Sequence, residues 1–127
     1  MLDKKYVVLI AEDEDDVREI YVKALESMGF EVLQASDGLQ ALDVLEKKHE
    51  QIDVVLLDIV MPKMDGMDVL RKIKGNNLYS DISFIMCTNL DDQADQSEAL
   101  SLGAKEYFIK SRHIPSELVK EVLKYVS

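Results

Sequence analysis

The sequence predicts an α/β protein built on a five-stranded parallel sheet. Two kinds of segment alternate along the 127 residues: short runs rich in β-branched residues, and longer stretches whose apolar residues recur at helical spacing. Five successive strand–helix units favour a parallel sheet with helices on both faces. The third run is apolar without interruption from Val54 to Leu57, so we expect this strand at the centre of the sheet.

The strands are predicted from their β-branched content and the helices from the period of their apolar residues. The predicted strands span residues 6–11, 31–35, 52–57, 82–87 and 106–109. Gly29 is predicted to end the first helix, because a left-handed C-terminal position favours glycine. This helix has the clearest pattern, with one apolar face made of Val17, Ile20, Tyr21, Ala24, Leu25 and Met28.

The second, third and fifth helices have similar support. Asp37 is a favourable N-cap for the second helix, and Gln40 has the spacing of a capping box. The third helix is predicted from about Gly66 to near Gly75. The fifth carries the apolar residues Leu118, Val119, Val122, Leu123 and Val126.

The fourth helix, over residues 91–102, is much more polar than the others. Its apolar stripe is thin, consisting of Ala94, Ala99, Leu100 and Leu102. A helix with so little apolar surface is lightly held by its neighbours, so we expect it to be mobile.

Length and composition indicate a single domain over residues 1–127, with no effector domain. The net charge of −10, from 25 acidic residues against 15 Lys and Arg, argues against direct nucleic-acid binding, which requires a basic surface. We find no signal-peptide pattern and no apolar stretch near the roughly 20 residues of a membrane span. The single cysteine, Cys87, excludes an internal disulfide and fits a cytoplasmic location.

Polar residues that could bind a ligand or take part in a reaction follow four of the five predicted strands. Glu12 and Asp13 follow the first strand, Asp58 the third, Thr88 ends the fourth and Lys110 follows the fifth. Each has a simpler interpretation when taken alone: the acids as helix caps or loop residues, the threonine as a strand residue and the lysine as a solvated side chain. In a parallel α/β sheet, however, ligands bind at the carboxyl ends of the strands. Their coincidence at this edge therefore predicts one shared site.

The chemistry of this set favours phosphoryl transfer. Three neighbouring carboxylates repel one another, by about 4 kcal/mol for a pair at ~4 Å and an effective dielectric constant of about 20. A hard divalent cation removes this penalty, and we expect Mg²⁺, with Mn²⁺ as the alternative. A cation, the Lys110 ammonium and the Thr88 hydroxyl would neutralise phosphoryl oxygens while the Asp58 carboxylate attacks in line.

These motifs resemble the receiver domain of two-component response regulators, and the resemblance covers the whole chain. The segment "VVLIAEDEDD" is similar to the family's acidic pair, with Glu12 in place of the usual first acid and Asp13 matching the second. "MCTN" and "GAKEYFIK" supply the matching Thr88 and Lys110. "DVVLLDIVMPKMDG" is similar to the family's phosphoacceptor segment, including Met61, Pro62, Asp65 and Gly66.

The resemblance implies a doubly wound, flavodoxin-like sheet with strand order 2-1-3-4-5. Among receivers, the chain is similar to the chemotaxis regulators. It also implies that Asp58 accepts a phosphoryl group from a sensor histidine kinase, a histidine phosphotransfer protein or a small phosphodonor. Asp13, Asp58 and the backbone carbonyl of Val60 would bind Mg²⁺ directly, and Glu12 would act through water.

In such a domain, Thr88 and Lys110 would hold the phosphoryl oxygens. The family also uses the threonine and a fifth-strand aromatic residue, here Tyr107, as a switch. Tyr107 would turn inward as Thr88 moves toward the phosphoryl group. This change would reshape the surface of the fourth helix, fifth strand and fifth helix, through which a downstream protein would bind.

Four positions depart from the family's usual pattern. Ser111 stands where proline usually follows the lysine, often after a cis bond; without proline a cis bond would cost roughly 3–4 kcal/mol, so we expect a trans bond and a differently shaped loop. Asn89 stands where a small residue is usual and would narrow access to the site. Val60 and Leu90 are apolar where polar residues often orient an attacking water. We therefore predict slow self-dephosphorylation, which a half-life of seconds in Mg²⁺ would contradict.

The resemblance also bears on oligomeric state. Receivers with winged-helix DNA-binding effectors pair through salt bridges on the switching face. Lys105 and Glu121 stand where those receivers tend to carry Asp and Arg, whereas Asp95 and Leu100 match them. The balance favours a monomer.

Three rival functions remain open. A haloacid dehalogenase-type phosphatase also forms an aspartyl phosphate, but it needs a second Asp two positions after the nucleophile, where Val60 stands; we therefore do not expect a turnover enzyme. A receiver used only as a scaffold, without phosphorylation, is disfavoured by the intact acids but left open by Asn89 and Ser111. A calcium-binding loop at "EDEDDV" lacks the glycine and spacing of an EF-hand.

Overall fold

The computed structural model describes residues 2–126 and confirms the predicted alternation of strands and helices. The strands are β1 (Val7–Ala11), β2 (Glu31–Ala35), β3 (Val54–Leu57), β4 (Ser83–Thr88) and β5 (Glu106–Ile109). The α-helices are α1 (Asp15–Ser27), α2 (Gly38–Lys48), α3 (Gly66–Ile73), α4 (Gln93–Ser101) and α5 (Pro115–Leu123). Two short 3₁₀ turns, Asn77–Tyr79 and Lys110–Arg112, precede β4 and α5.

The sheet is parallel throughout, with strand order β2-β1-β3-β4-β5. β3 lies at its centre, as its continuous apolar run predicted, and the order is the one that the family resemblance implied. β3 begins two residues later than expected. Asp53, predicted to be within the strand, accepts a hydrogen bond from the Val7 N–H through its side chain (2.9 Å), in place of a backbone carbonyl.

Helices cover both faces of the sheet, and each face has its own apolar core. Val55 and Leu57 of β3 belong to the core under α2, α3 and α4, whereas Val54 and Leu56 belong to the core under α1 and α5. All four side chains are fully buried. Burial of such side chains contributes about 1.5–3 kcal/mol each, so β3 anchors both layers.

The predicted caps form, with one difference. Asp37 accepts a hydrogen bond from the Gln40 N–H (2.8 Å) and caps α2. The Gln40 side chain does not return to Asp37 as a capping box requires; it accepts from the Ser36 N–H instead (2.9 Å). Gly29 follows α1 with a φ of 98°, the left-handed conformation expected of it.

The fourth helix is the least anchored of the five within residues 2–126. Ala99 is its buried residue, Leu100 is 51% exposed, and Leu102, just after the helix, is partly buried against the core. The structure thus confirms the thin apolar contact; mobility of α4 stays a prediction. Across the same residues, no helix has the length and apolar character needed to cross a bilayer.

Candidate functional site

The strand register brings the predicted site residues to one edge of the sheet. Ala11 of β1 is level with Leu57 of β3, and Thr88 of β4 is level with Ile109 of β5. The residues that follow these strands therefore leave the sheet together. Since parallel strands end at a common edge, contacts between residues far apart in sequence become possible here.

Glu12, Asp13 and Asp58 form a cluster of carboxylates at this edge. Each offers a carboxylate oxygen, and these oxygens lie within 4.8 Å of one another. Glu12 and Asp58 are buried, whereas Asp13 is exposed. Burial raises the pKa of Glu12, although hydrogen bonds from Lys110 and from the Glu14 N–H oppose that change.

The Lys110 ammonium lies between the two buried carboxylates. It donates to Glu12 Oε1 and to Asp58 Oδ2, the latter at 3.0 Å, and its side chain is only 9% exposed. Desolvation alone would lower the pKa of Lys110, but the hydrogen bond to Glu12 and the charge of Asp58 raise it above its usual range. Lys110 is therefore charged and buried in the site, which excludes the interpretation of a solvated loop lysine.

Asp58 has one occupied and one free carboxylate oxygen. Oδ2 accepts from Lys110, whereas Oδ1 is buried without a hydrogen-bond partner among the described residues. An unpaired buried carboxylate oxygen is costly. Its position in a cluster of three acids with a single lysine between them fits a hard divalent cation, which prefers oxygen ligands.

The backbone just after Asp58 is held by the start of α3. The Gly66 N–H donates to the Ile59 carbonyl (2.9 Å), and a Cβ added at Gly66 would lie 2.1 Å from the Asp58 carbonyl oxygen. Asp65 caps the same helix by accepting from the Asp68 N–H (2.8 Å). The motif residues Asp65 and Gly66 thus allow α3 to approach the backbone of Asp58 closely.

Arg18 on α1 is a site residue that the sequence analysis missed. Its guanidinium donates to the Glu12 carbonyl (2.7 Å), to Asp15 (2.7 Å) and to Gln34 on β2 (3.0 Å). Its side chain is 15% exposed. These bonds hold the loop that carries Glu12 and Asp13. The available signal was a single cation within the otherwise acidic run "EDEDDVRE".

Thr88 and Tyr107 both contact the residue after Asn89. Thr88 Oγ1 accepts from the Leu90 N–H (3.3 Å), and the Tyr107 hydroxyl donates to the Leu90 carbonyl (2.6 Å). Desolvation, together with the charges of Asp95 and Asp92, raises the pKa of Tyr107 to about 12. The two predicted switch residues are therefore connected through the backbone of one loop residue.

The positions that depart from the family pattern lie around this cluster. Val60 and Leu90 are exposed, at 58% and 36%, and the Val60 carbonyl as a metal ligand stays a prediction. The Lys110–Ser111 bond is trans, as expected without a proline. The Ser111 N–H donates to the Asn89 side chain, a hydrogen bond that the proline usual at this position could not make.

Comparison with known proteins agrees with this geometry. The family model of the response regulator receiver domain matches residues 8–123. The chain belongs to this family. It is thereby assigned to two-component signalling, and its α/β fold is the chemotaxis-regulator type that the resemblance implied.

Curated relatives of this receiver domain include longer proteins. The chain is 43% identical over 109 residues to a "Probable transcriptional regulator ycf27" of Guillardia theta, covering 86% of this chain and 41% of that protein. A ycf27 protein of Porphyridium aerugineum is 35% identical over 97% of this chain and 50% of its own length. The chain thus spans about half or less of these curated relatives.

Solved receiver structures superpose closely on this chain. Chemotaxis protein CheY4 of Vibrio cholerae has a TM-score of 0.86 and 25% identity, covering 97% of this chain and 100% of that one. CheY in the CheX–CheY–BeF₃–Mg²⁺ complex of Borrelia burgdorferi has a TM-score of 0.85 and 28% identity, covering 94% and 87%.

Proposed function

We propose that this receiver domain, taken as one domain over residues 1–127, is a phosphorylatable switch whose acceptor is Asp58. The donor would be a sensor histidine kinase, a histidine phosphotransfer protein or a small phosphodonor. A carboxylate oxygen of Asp58 attacks phosphorus, the P–N bond of the donor's phosphohistidine breaks, and the imidazole leaves with the electron pair and takes up a proton.

The observation that carries this proposal is the asymmetry of the Asp58 carboxylate. One oxygen is held by Lys110 at 3.0 Å, while the buried Oδ1 has no hydrogen-bond partner within residues 2–126. A carboxylate held in this way is oriented yet keeps one oxygen for a reaction or for a cation. A purely structural aspartate would be expected to pair both oxygens when buried.

Glu12, Asp13 and Asp58, with the Val60 carbonyl, would hold Mg²⁺ or Mn²⁺, and Glu12 would act through water. When bound, the cation supplies positive charge that offsets the acids and the phosphoryl oxygens. Each of the three carboxylates offers an oxygen within 4.8 Å of the other two, which supports this assignment.

Lys110 and Thr88 are the residues that we assign to the phosphoryl oxygens. The ammonium is already buried beside Asp58, so it can neutralise negative charge on the phosphoryl oxygens without first leaving solvent. Thr88 is 1% exposed at the end of β4, and its hydroxyl makes only a long contact of 3.3 Å with the Leu90 N–H. In that contact the hydroxyl accepts, so its own proton can be donated to a phosphoryl oxygen, and losing the long contact to Leu90 costs little.

The output would be a change in the surface formed by α4, β5 and α5. As Thr88 turns toward the phosphoryl group it releases Leu90, and Leu90 is also the partner of Tyr107. Movement at Thr88 thus reaches Tyr107 and the lightly anchored α4. A downstream protein would bind this surface in one state and not in the other.

The domain would act by binding, as a monomer, and not as a turnover enzyme. It would accept the phosphoryl group and lose it slowly, since Val60 and Leu90 offer no polar side chain to a water. The free, buried thiol of Cys87 fits a reducing compartment, so we propose a cytoplasmic location. The net charge of −10 disfavours nucleic acid as a direct partner.

The test is the intact mass after incubation with acetyl phosphate or phosphoramidate and Mg²⁺. We expect one phosphoryl group on the wild type, and none on Asp58→Asn or without a divalent cation. Asp81→Asn is the matched control, because Asp81 is an exposed acid before β4, away from the cluster, and should leave the adduct unchanged. No adduct on the wild type after long incubation would instead favour a non-phosphorylated scaffold.

A further inference from the structure

Asn89 and Ser111, which both depart from the family's usual pattern, contact each other. The Asn89 Oδ1 accepts a hydrogen bond from the Ser111 backbone N–H at 2.8 Å, across 22 residues of sequence. A proline at position 111 would have no N–H to donate. Asn89 and Ser111 therefore form a contact that needs both of them: a proline at 111 would lack the donor, and a small residue at 89 would lack the amide acceptor.

This contact lies directly beyond the last paired residues of β4 and β5. Thr88 is level with Ile109, so Asn89 and Lys110 are the residues that directly follow β4 and β5. Lys110 begins the 3₁₀ turn Lys110–Arg112, and an N–H at the start of a helical turn has no partner within it. Asn89 satisfies that N–H and extends the pairing of the two strands by one side-chain bond.

The residue fixed by this contact is the neighbour of Lys110. The Lys110 ammonium contacts both Glu12 and Asp58 through a flexible four-carbon stem. We propose that Asn89 is a positioning residue: by holding the Ser111 N–H it fixes the backbone from which the Lys110 side chain leaves, and so keeps the ammonium between Glu12 and Asp58. This inference rests on the proposed function, in which Lys110 meets the phosphoryl group.

A steric role for Asn89 makes the opposite prediction. Asn89 also lines a cavity of about 230 Å³ beside the site, together with Tyr21, Lys110, Ser111 and Pro115. If its bulk chiefly narrowed access, removing the side chain would speed phosphorylation by small donors. If it positions Lys110, the same change slows the reaction.

The experiment compares initial rates of phosphorylation by acetyl phosphate in Mg²⁺. Asn89→Ala removes both bulk and acceptor, Asn89→Leu keeps the bulk without the acceptor, and Asn89→Asp keeps both. We expect Ala and Leu to be slower by about tenfold, within the roughly hundredfold that a ~1 Å misplacement can cost. Asp should restore most of the rate. An Asn89→Ala variant faster than the wild type would overturn the proposal.

Asp91→Ala is the matched control for these variants. Asp91 pairs with Arg112 and so joins the same two segments, but both side chains are more than half exposed. Such surface pairs contribute little. We expect a rate close to that of the wild type, whereas an equal loss in Asp91→Ala would mean that any link between the segments suffices and would overturn a specific role for Asn89.

A second readout needs no phosphorylation. In the unmodified protein, nuclear magnetic resonance reports solvent exchange of the Ser111 amide and the ordered signal of the Lys110 ammonium. Both should be lost in Asn89→Ala and Asn89→Leu and kept in Asn89→Asp. An unchanged Lys110 signal would overturn the inference. If these signals respond but the wild type takes no phosphoryl group, the proposed function fails and the positioning role stands.

Discussion

At the scale of single residues, the site places charged side chains in buried positions, which most proteins fill with apolar residues. Two buried carboxylates share one buried ammonium, and a third carboxylate lies beside them at the surface. Buried charges are costly unless they are paired, and here three negative charges meet one positive charge. The unbalanced negative charge thus lowers the stability of the folded protein and favours binding of a cation at this site.

Asp13→Ala should stabilise the protein when divalent cations are absent. It removes one carboxylate of the cluster, and the repulsion at ~4 Å is about 1 kcal/mol even in bulk water. The melting temperature should rise by a few degrees in EDTA. Millimolar Mg²⁺ should raise the melting temperature of the wild type but not of Asp13→Ala.

Asp81→Ala is the matched control for this measurement, because Asp81 is an exposed acid before β4, at the opposite edge of the sheet. It should respond to Mg²⁺ as the wild type does. An Asp13→Ala variant that is no more stable in EDTA than the wild type would contradict repulsion within the cluster.

Cys87 should make the stability depend on alkaline pH. Burial raises the pKa of its thiol, so the folded protein disfavours the thiolate and stability falls as pH rises above the unfolded-state value of about 8.5. Between pH 7 and 9.5 this loss should be about 1.4 kcal/mol.

Urea unfolding at both pH values measures this loss in the wild type and in Cys87→Ala. The alanine variant is less stable overall but should lack this part of the pH dependence, since the other titrating groups are common to both proteins. An identical pH dependence in the two proteins would show that the folded thiol ionises normally.

At the scale of elements, the helices differ in how firmly they hold the sheet. α1 and α5 share one face of the sheet and bury Leu25 and Leu118 completely, whereas α4 buries Ala99 alone among its residues. The acidic α4 lies next to the loop that carries Asn89 and Leu90. The element nearest the candidate switch is therefore the one whose displacement costs least.

Truncating one leucine in each helix should measure this difference. Leu25→Ala in α1 should lower the free energy of unfolding by about 2–5 kcal/mol, because its side chain is fully buried. Leu100→Ala in α4, where the side chain is 51% exposed, should change it by less than about 0.5 kcal/mol. Amides of α4 should also exchange with solvent faster than those of α1. Comparable losses from the two truncations would mean that α4 is anchored by more than Ala99.

At the scale of the whole molecule, charge and surface pairing favour a monomer. The net charge of −10 opposes close approach of two copies. Glu121 is already paired with Lys124 at 2.8 Å, and Lys124 also reaches Glu106 at 4.0 Å. The charge of Glu121 is thus already paired within one chain.

Sedimentation velocity with BeF₃⁻ and Mg²⁺ should therefore show a monomer with and without the phosphoryl analogue. The double variant Lys105→Asp, Glu121→Arg introduces the residues that dimerising receivers tend to carry at these positions. It should shift the analogue-bound protein toward a dimer. A wild type that dimerises with BeF₃⁻ would show that Asp95 and Leu100 outweigh the two charge changes.

The sequence by itself determined the five strands, the five helices and the central place of β3, because these depend on local periodicity and on uninterrupted apolar runs. It also determined which residues leave the sheet at its carboxyl edge, since a strand end is read locally. The strand order came from resemblance, because nothing in a local pattern states which strands are neighbours.

Only the tertiary structure decided how the edge residues pair. Lys110 contacts Glu12 across 98 residues of sequence, and Asn89 contacts Ser111. In the part of the chain that the structure describes, Asp58 Oδ1 has no hydrogen-bond partner. The position of Arg18 on α1 likewise does not predict its bond to the Glu12 carbonyl. These contacts depend on strand register and side-chain rotamers together, which no spacing along the chain specifies.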